Sequence, residues 1–128
     1  MIHQVTKGIK ISVQTNYEGN RFQDFRLYYT FSYRITIENQ SNDSVQLISR
    51  HWDIFDSLND LDIVEGEGVI GKKPIIPPKG VYTYNSHCFL TSPIGAMSGY
   101  FNMFNFITTK QFKVQIPTFQ LLAPATLN

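Results

Sequence analysis

The chain has 128 residues, 42% of them hydrophobic, which fits one domain with one core and excludes a disordered chain. Its formal net charge is +1 and its Lys and Arg are scattered, so the concentrated basic footprint of a nucleic-acid binder is missing. A single cysteine excludes an intrachain disulfide, no apolar run approaches the ~20 residues that span a bilayer, and Met1 to Lys7 lacks a signal-peptide pattern, so the expectation is a cytoplasmic protein without a membrane partner.

Apolar and polar residues then alternate along the chain. Ile9, Ile11 and Val13 share one parity, and Tyr29, Phe31, Tyr33, Ile35 and Ile37 repeat the pattern. Successive strand side chains point to opposite faces, so both stretches predict strands with one core face and one wet face. Asn39 to Ser44 is rich in turn formers and predicts a hairpin between its two neighbouring strands. Val45 to Phe55 carries apolar residues on both parities, as a strand covered on both sides or bending between sheets would. A polar turn from Asp56 to Asp60 leads to a strand from Leu61 to Glu65. Lys73 to Gly80 holds Pro74, Pro77 and Pro78, which remove backbone donors and exclude a central strand. Val81 to Tyr84 resumes extended structure, and Thr91 to Gly99, with Pro93, Gly95 and Gly99, reads as a shaped loop. Tyr100 to Ile107 is strongly aromatic, and Phe112, Val114 and Ile116 alternate up to Pro117. No stretch of helical length has helical spacing. The sum is one all-β domain over the whole chain, a sandwich of about seven or eight antiparallel strands.

Several segments carry candidate chemistry. Gly66, Gly68 and Gly71 fit G-x-G-x-x-G, but the motif runs into Lys72, Lys73 and Pro74, so no helix starts and a dinucleotide fold is excluded. Two readings remain: a glycine-rich turn or bulge with positive φ, or an anion nest in which the loop amides, with Lys72 and Lys73, hold a phosphate. His51 and Asp53 share one strand face and, with Asp56, suggest the start of a metal site. Neither His3 nor His87 can be placed beside them, so no metal ligands are assigned. Polar contacts beside a buried Trp52 explain that segment more simply. His87 and Cys88 are adjacent, which on a strand turns them to opposite faces, and no third group orients them; no catalytic residue is assigned. Tyr100, Phe101, Phe104 and Phe106 divide between core and, where exposed, a stacking or partner patch.

These blocks together carry more than any one of them. Val45 to Trp52, Gly66 to Gly71, Pro74, Tyr84, Ser86, Leu90, Ser92 to Gly99, Phe101, Met103 and the ending Phe112 to Leu121 resemble, in this order, the ApaG family. The resemblance runs from about Ile9 to Pro124. It implies an immunoglobulin/fibronectin-III-like β-sandwich and brings no catalytic residues with it. It also implies an association with cobalt resistance and magnesium efflux in bacterial members, and with a genetic neighbourhood handling diadenosine tetraphosphate. Related domains in eukaryotic F-box proteins and a polymerase-interacting protein imply protein binding. The chain departs from the pattern at Pro78-Lys79-Gly80, where the family usually has Pro-Gly-Glu, at His87, where glycine is common, and at Lys72 and Lys73.

The expectation is a binding module rather than an enzyme, without a cofactor, that meets a protein partner through sheet edges or loops. The candidate loops are Gly66 to Gly71 and Ser92 to Gly99, the second offering Ser92, Pro93, Gly95, Met97 and Gly99 as contacts. The alternative is a pyrophosphate or nucleotide sensor built from Gly66, Gly68, Gly71, Lys72 and Lys73. Exposed edges also leave room for a homodimer.

Overall fold

The computed structural model describes residues 1–59 and 61–124; Asp60, the last residue of the predicted polar turn, lies outside them. Alternation becomes nine strands: β1 (Ile2–Thr6), β2 (Ile9–Gln23), β3 (Arg26–Asn39), β4 (Val45–Asp56), β5 (Asp62–Glu67), β6 (Ile75–Ile76), β7 (Val81–Leu90), β8 (Ile94–Asn105) and β9 (Lys110–Leu122). One sheet has the order β1-β2-β3-β7, and the other β5-β4-β8-β9, with the short β6 on the same side of β4 as β5. All pairs are antiparallel. This is a β-sandwich, consistent with the immunoglobulin/fibronectin-III-like class. Among the described residues no helix is long and apolar enough to cross a membrane.

The core lies where the alternation put it. Ile9, Ile11, Phe31, Ile35 and Ile37 from one sheet meet Leu47, Met97, Phe101, Met103 and Leu121 from the other, each 0–1% exposed. Trp52 crosses the layer, its ring centroid 5.5 Å from Tyr33 and 5.9 Å from Phe119. On one side β1 packs against β9, where the Gln115 amide donates to Thr6 Oγ1 at 3.3 Å. Among the described residues the opposite side ends in two free edges, β5 and β7.

Four expectations change. The turn formers Asn39 to Ser44 do not make a hairpin: β3 and β4 belong to different sheets, and the segment crosses between them. Its pivot is Asn39, 0% exposed, whose Nδ2 donates to the carbonyls of Asp43 (2.8 Å) and Ile76 (2.9 Å) while its Oδ1 accepts from the Ser41 amide (3.0 Å) and hydroxyl (2.6 Å). The predicted loop Thr91 to Gly99 is mostly strand, since β8 begins at Ile94. β9 does not end at Pro117 but continues to Leu122, because Pro117 falls at the register shift where a missing donor is tolerated. Finally, β2 and β3 run past the alternating stretches Ile9 to Val13 and Tyr29 to Ile37 that predicted them. Their hairpin turns at Asp24 and Phe25, both at positive φ, and leaves Phe25 97% exposed. The mixed parity of β4 has its own cause: a bulge between Leu47 and Ser49 changes phase, so that Leu47 faces inward before it and Trp52 after it.

At the end of β4, Asp56 ties two turns together. Its carboxylate accepts from the Thr91 amide and hydroxyl (2.7 Å each) and the Ser92 hydroxyl (2.5 Å). Burial alone would raise its pKa, but the hydrogen bonds from Ser92, Thr91 and the Leu58 amide outweigh it and hold the carboxyl at about 2. The folded value lies below the unfolded one. This stabilisation is therefore present above about pH 4 and is lost as pH falls through about 2. Between about pH 5 and pH 2 the wild type should lose about 1–2 kcal/mol more stability than Asp56→Asn, after discounting for solvent screening. Urea midpoints of the two proteins across that range measure the difference.

Candidate functional site

The glycine motif folds into a tight turn at the open side of the sandwich. Ile70 and Gly71, both at positive φ (49° and 72°), form the centre of a two-residue turn. It is closed by hydrogen bonds from the Val69 amide to the Lys72 carbonyl (2.8 Å) and from the Lys72 amide to the Val69 carbonyl (3.0 Å). This is the backbone pattern that suits strand twist in a type I′ turn. Gly68 has φ 62°, and a Cβ there would lie 2.2 Å from the Lys72 carbonyl oxygen, so no other residue fits. The Gly68 amide donates to the Ile48 carbonyl at 2.8 Å. Thus the amides of Gly68, Val69 and Lys72 already have partners. Lys73 Nζ pairs with the Glu67 carboxylate at 3.3 Å, while the Lys72 side chain is exposed.

Sequence reasoning missed the group that this turn surrounds. The bulge in β4 places Arg50 on the same parity as inward-facing Trp52. Its Nη1 donates to the carbonyls of Glu67 (3.1 Å) and Gly68 (2.8 Å), and Gly66 leaves it room, since a Cβ there would sit 2.9 Å from Nη2. Arg50 lines a cleft of about 480 Å³ together with Tyr33, Trp52, Tyr84, Ser86 and Cys88. Burial pushes the phenols of Tyr33 and Tyr84 up. Burial, reinforced by the charges of Asp56 and Asp62, raises the Cys88 thiol to about 11, so it stays protonated at neutral pH. His87 is exposed beside the buried Cys88, on the other face of β7, as strand geometry requires.

The second candidate segment is less accessible than a loop. Ser92 is 0% exposed and Met97 1% exposed, and a Cβ at Gly99 would lie 2.0 Å from the His51 carbonyl oxygen. Gly95 and Gly99 therefore serve close contact with β4 inside the sheet rather than loop bending. Of the five residues expected as contacts, only Pro93 is exposed.

His51 and Asp53 do share the outer face of β4. His51 Nε2 lies 3.1 Å from the Asp53 carboxylate and Nδ1 lies 3.2 Å from that of Glu65, which raises its pKa, chiefly through Glu65. Its ring stacks on Tyr100 at 4.8 Å, and Lys113 lies over the other ring at 4.4 Å. Asp56 faces the Thr91–Ser92 turn instead, and among the described residues no three His, Cys, Asp or Glu side chains converge as a metal cage would. The aromatic run divides by parity: Phe101 is buried, Tyr100 and Phe104 are half-buried, and Phe106 is 41% exposed.

The comparisons agree with this geometry. Residues 20–105 match the family model described as the ApaG domain. The chain is 38% identical over 131 residues to Protein ApaG of Brucella abortus, with all of both chains covered. It is likewise 38% identical to Protein ApaG of Mesorhizobium japonicum, covering 98% of this chain and 96% of that one. An X-ray structure of a Northeast Structural Genomics Consortium target superposes with a TM-score of 0.87 at 35% identity, covering 94% of this chain and 90% of that chain. A crystal structure from Bordetella pertussis gives 0.83 at 33% identity, covering 92% and 95%. The turn at Gly66–Gly71, the tight β4–β8 contact and the whole sandwich thus occur together in a chain that belongs to the ApaG family.

Proposed function

We propose that this protein is a non-catalytic binding module that takes an extended segment of a partner protein along the free edge of β5. One observation carries the reading. Among the described residues β5 is paired on one side only, with β4, and it exposes Ile63 (54%) and Val64 (36%) on its two faces, with Ile70 (61% exposed) in the turn that continues it. A free edge with apolar side chains is a template for strand addition, in which main-chain hydrogen bonds supply affinity and side-chain contacts supply specificity. Chemistry is not favoured by the cleft beside it, because its thiol is buried and protonated and, among the described residues, no base shares its face of β7. The family's association with cobalt resistance and magnesium efflux makes proteins of divalent-cation handling the first partners to test.

A charged residue on an edge strand opposes strand addition without touching the core. Ile63→Lys should therefore abolish recovery of a partner captured by the wild-type protein, with a melting temperature within about 2 °C of it. Undiminished recovery by the folded variant would remove β5 as the docking edge.

A further inference from the structure

The cleft between the free edges of β5 and β7 has a volume of about 480 Å³, within the range of small-molecule sites. Two polar groups line it that the fold leaves partly unused. Arg50 commits Nη1 to two backbone carbonyls, but among the described residues Nε and Nη2 meet no acceptor. No described carboxylate lies within 4.0 Å of the guanidinium. Tyr84 is 7% exposed, and its hydroxyl is buried without a hydrogen-bond partner among the described residues. A buried hydroxyl left unpaired destabilises a fold, so its retention calls for an explanation. The remaining walls include the apolar Trp52, Val69 and Met97. The acidic groups at the cleft are Asp62, which is exposed, and Glu67, whose carboxylate is turned to Lys73.

We propose that this cleft binds a small organic oxyanion, a carboxylate or phosphate head on an apolar body. The head takes the Nε–Nη2 edge of Arg50, a planar fork that matches two oxygens at once, and the hydroxyl of Tyr84. The body lies against Val64, which is exposed on β5 and paired with Trp52 in the β4–β5 register. The site differs from an anion nest on the glycine loop, because the donors are side chains from β4 and β7 and the loop supplies the carbonyls that hold Arg50 in place.

Trp52 is the only tryptophan, so its fluorescence reports occupancy. The full chain is titrated with phenyl phosphate and, separately, with benzoate, and whichever saturates identifies the head group. A saturable change with a dissociation constant of about 1 mM or tighter is expected from at least one. Arg50→Lys keeps the charge but loses the fork, and should weaken binding at least about tenfold. Tyr84→Phe removes the unpaired hydroxyl. It should weaken binding about five- to tenfold while its urea midpoint equals or exceeds that of the wild type. Silence with both probes up to about 10 mM, or unchanged affinity in both variants, overturns the assignment. Ile63 lies outside the cleft lining, so Ile63→Lys should leave the titration intact, and failure here is separable from failure of the β5 edge.

Discussion

Phe101→Ala should lower stability by about 3–5 kcal/mol. The ring is 0% exposed at the centre of β8 and meets Tyr84 of the opposite sheet edge-on at a centroid distance of 6.4 Å. Its backbone is paired on both sides, to Arg50 of β4 and to Val114 of β9. Neither neighbour can move in to fill the space, so the loss combines the transfer of a phenyl ring to water with an unrelaxed cavity. A melting temperature lower by about 10–20 °C is the corresponding calorimetric result. Urea unfolding followed by Trp52 fluorescence measures the free energy. A loss below about 1 kcal/mol would mean that the two sheets close over the site and that the sandwich is softer than its packing implies.

Asn39→Leu should destabilise by about 3 kcal/mol although it adds apolar surface at a 0% exposed position. Asn39 satisfies the carbonyls of Asp43 and Ile76 and accepts from the Ser41 amide and hydroxyl. Leucine can do none of this, and groups left buried without partners carry the full desolvation penalty. The Asn39 backbone also donates to the Gly80 carbonyl (2.9 Å) and accepts from the Lys79 amide (2.7 Å). Loosening the pivot should therefore accelerate hydrogen exchange at Lys79 more than at Phe101, which lies in the core. Uniform acceleration across both positions would show that the segment crossing between the sheets opens only with the whole domain.

The candidate site was partly legible. The glycine motif signalled a turn with positive φ, and Gly68 and Gly71 adopt it. What the motif could not reveal is that Gly66 makes room for a guanidinium sixteen positions earlier in the chain (66 − 50). A signal existed in the mixed parity of Val45 to Phe55, since a bulge is one way to produce it. Counting phase across a bulge at Leu47–Ser49 puts Arg50 inside. The departure at Pro78-Lys79-Gly80 also has a physical outcome. Lys79 itself takes φ 66°, at the position where the family pattern usually has glycine, so the turn keeps its left-handed residue and a lysine bears the strain.

The sequence by itself determined the class of fold and the inner face of most strands. Period-two alternation leaves only one way to bury Ile9, Ile11, Phe31, Ile35, Ile37, Val114 and Ile116 together, and prolines at 74, 77 and 78 bar a long strand between Glu67 and Val81. Tertiary structure decided which strands became neighbours. Local turn chemistry at Asn39 to Ser44 favours a reversal, but it says nothing about whether the returning strand joins the same sheet or the opposite one. Here Asn39 bonds locally to Ser41 and Asp43 but also to groups far along the chain, the Ile76 carbonyl and the backbone of Lys79 and Gly80, which reach it only when the two layers pack. The same holds for Gly95 and Gly99, whose role is close approach to β4, and for the cleft, whose two key side chains come from strands in different sheets. Alternation is a property of neighbours along the chain, whereas sheet order, close contact and a shared cleft depend on groups that meet only when the layers pack.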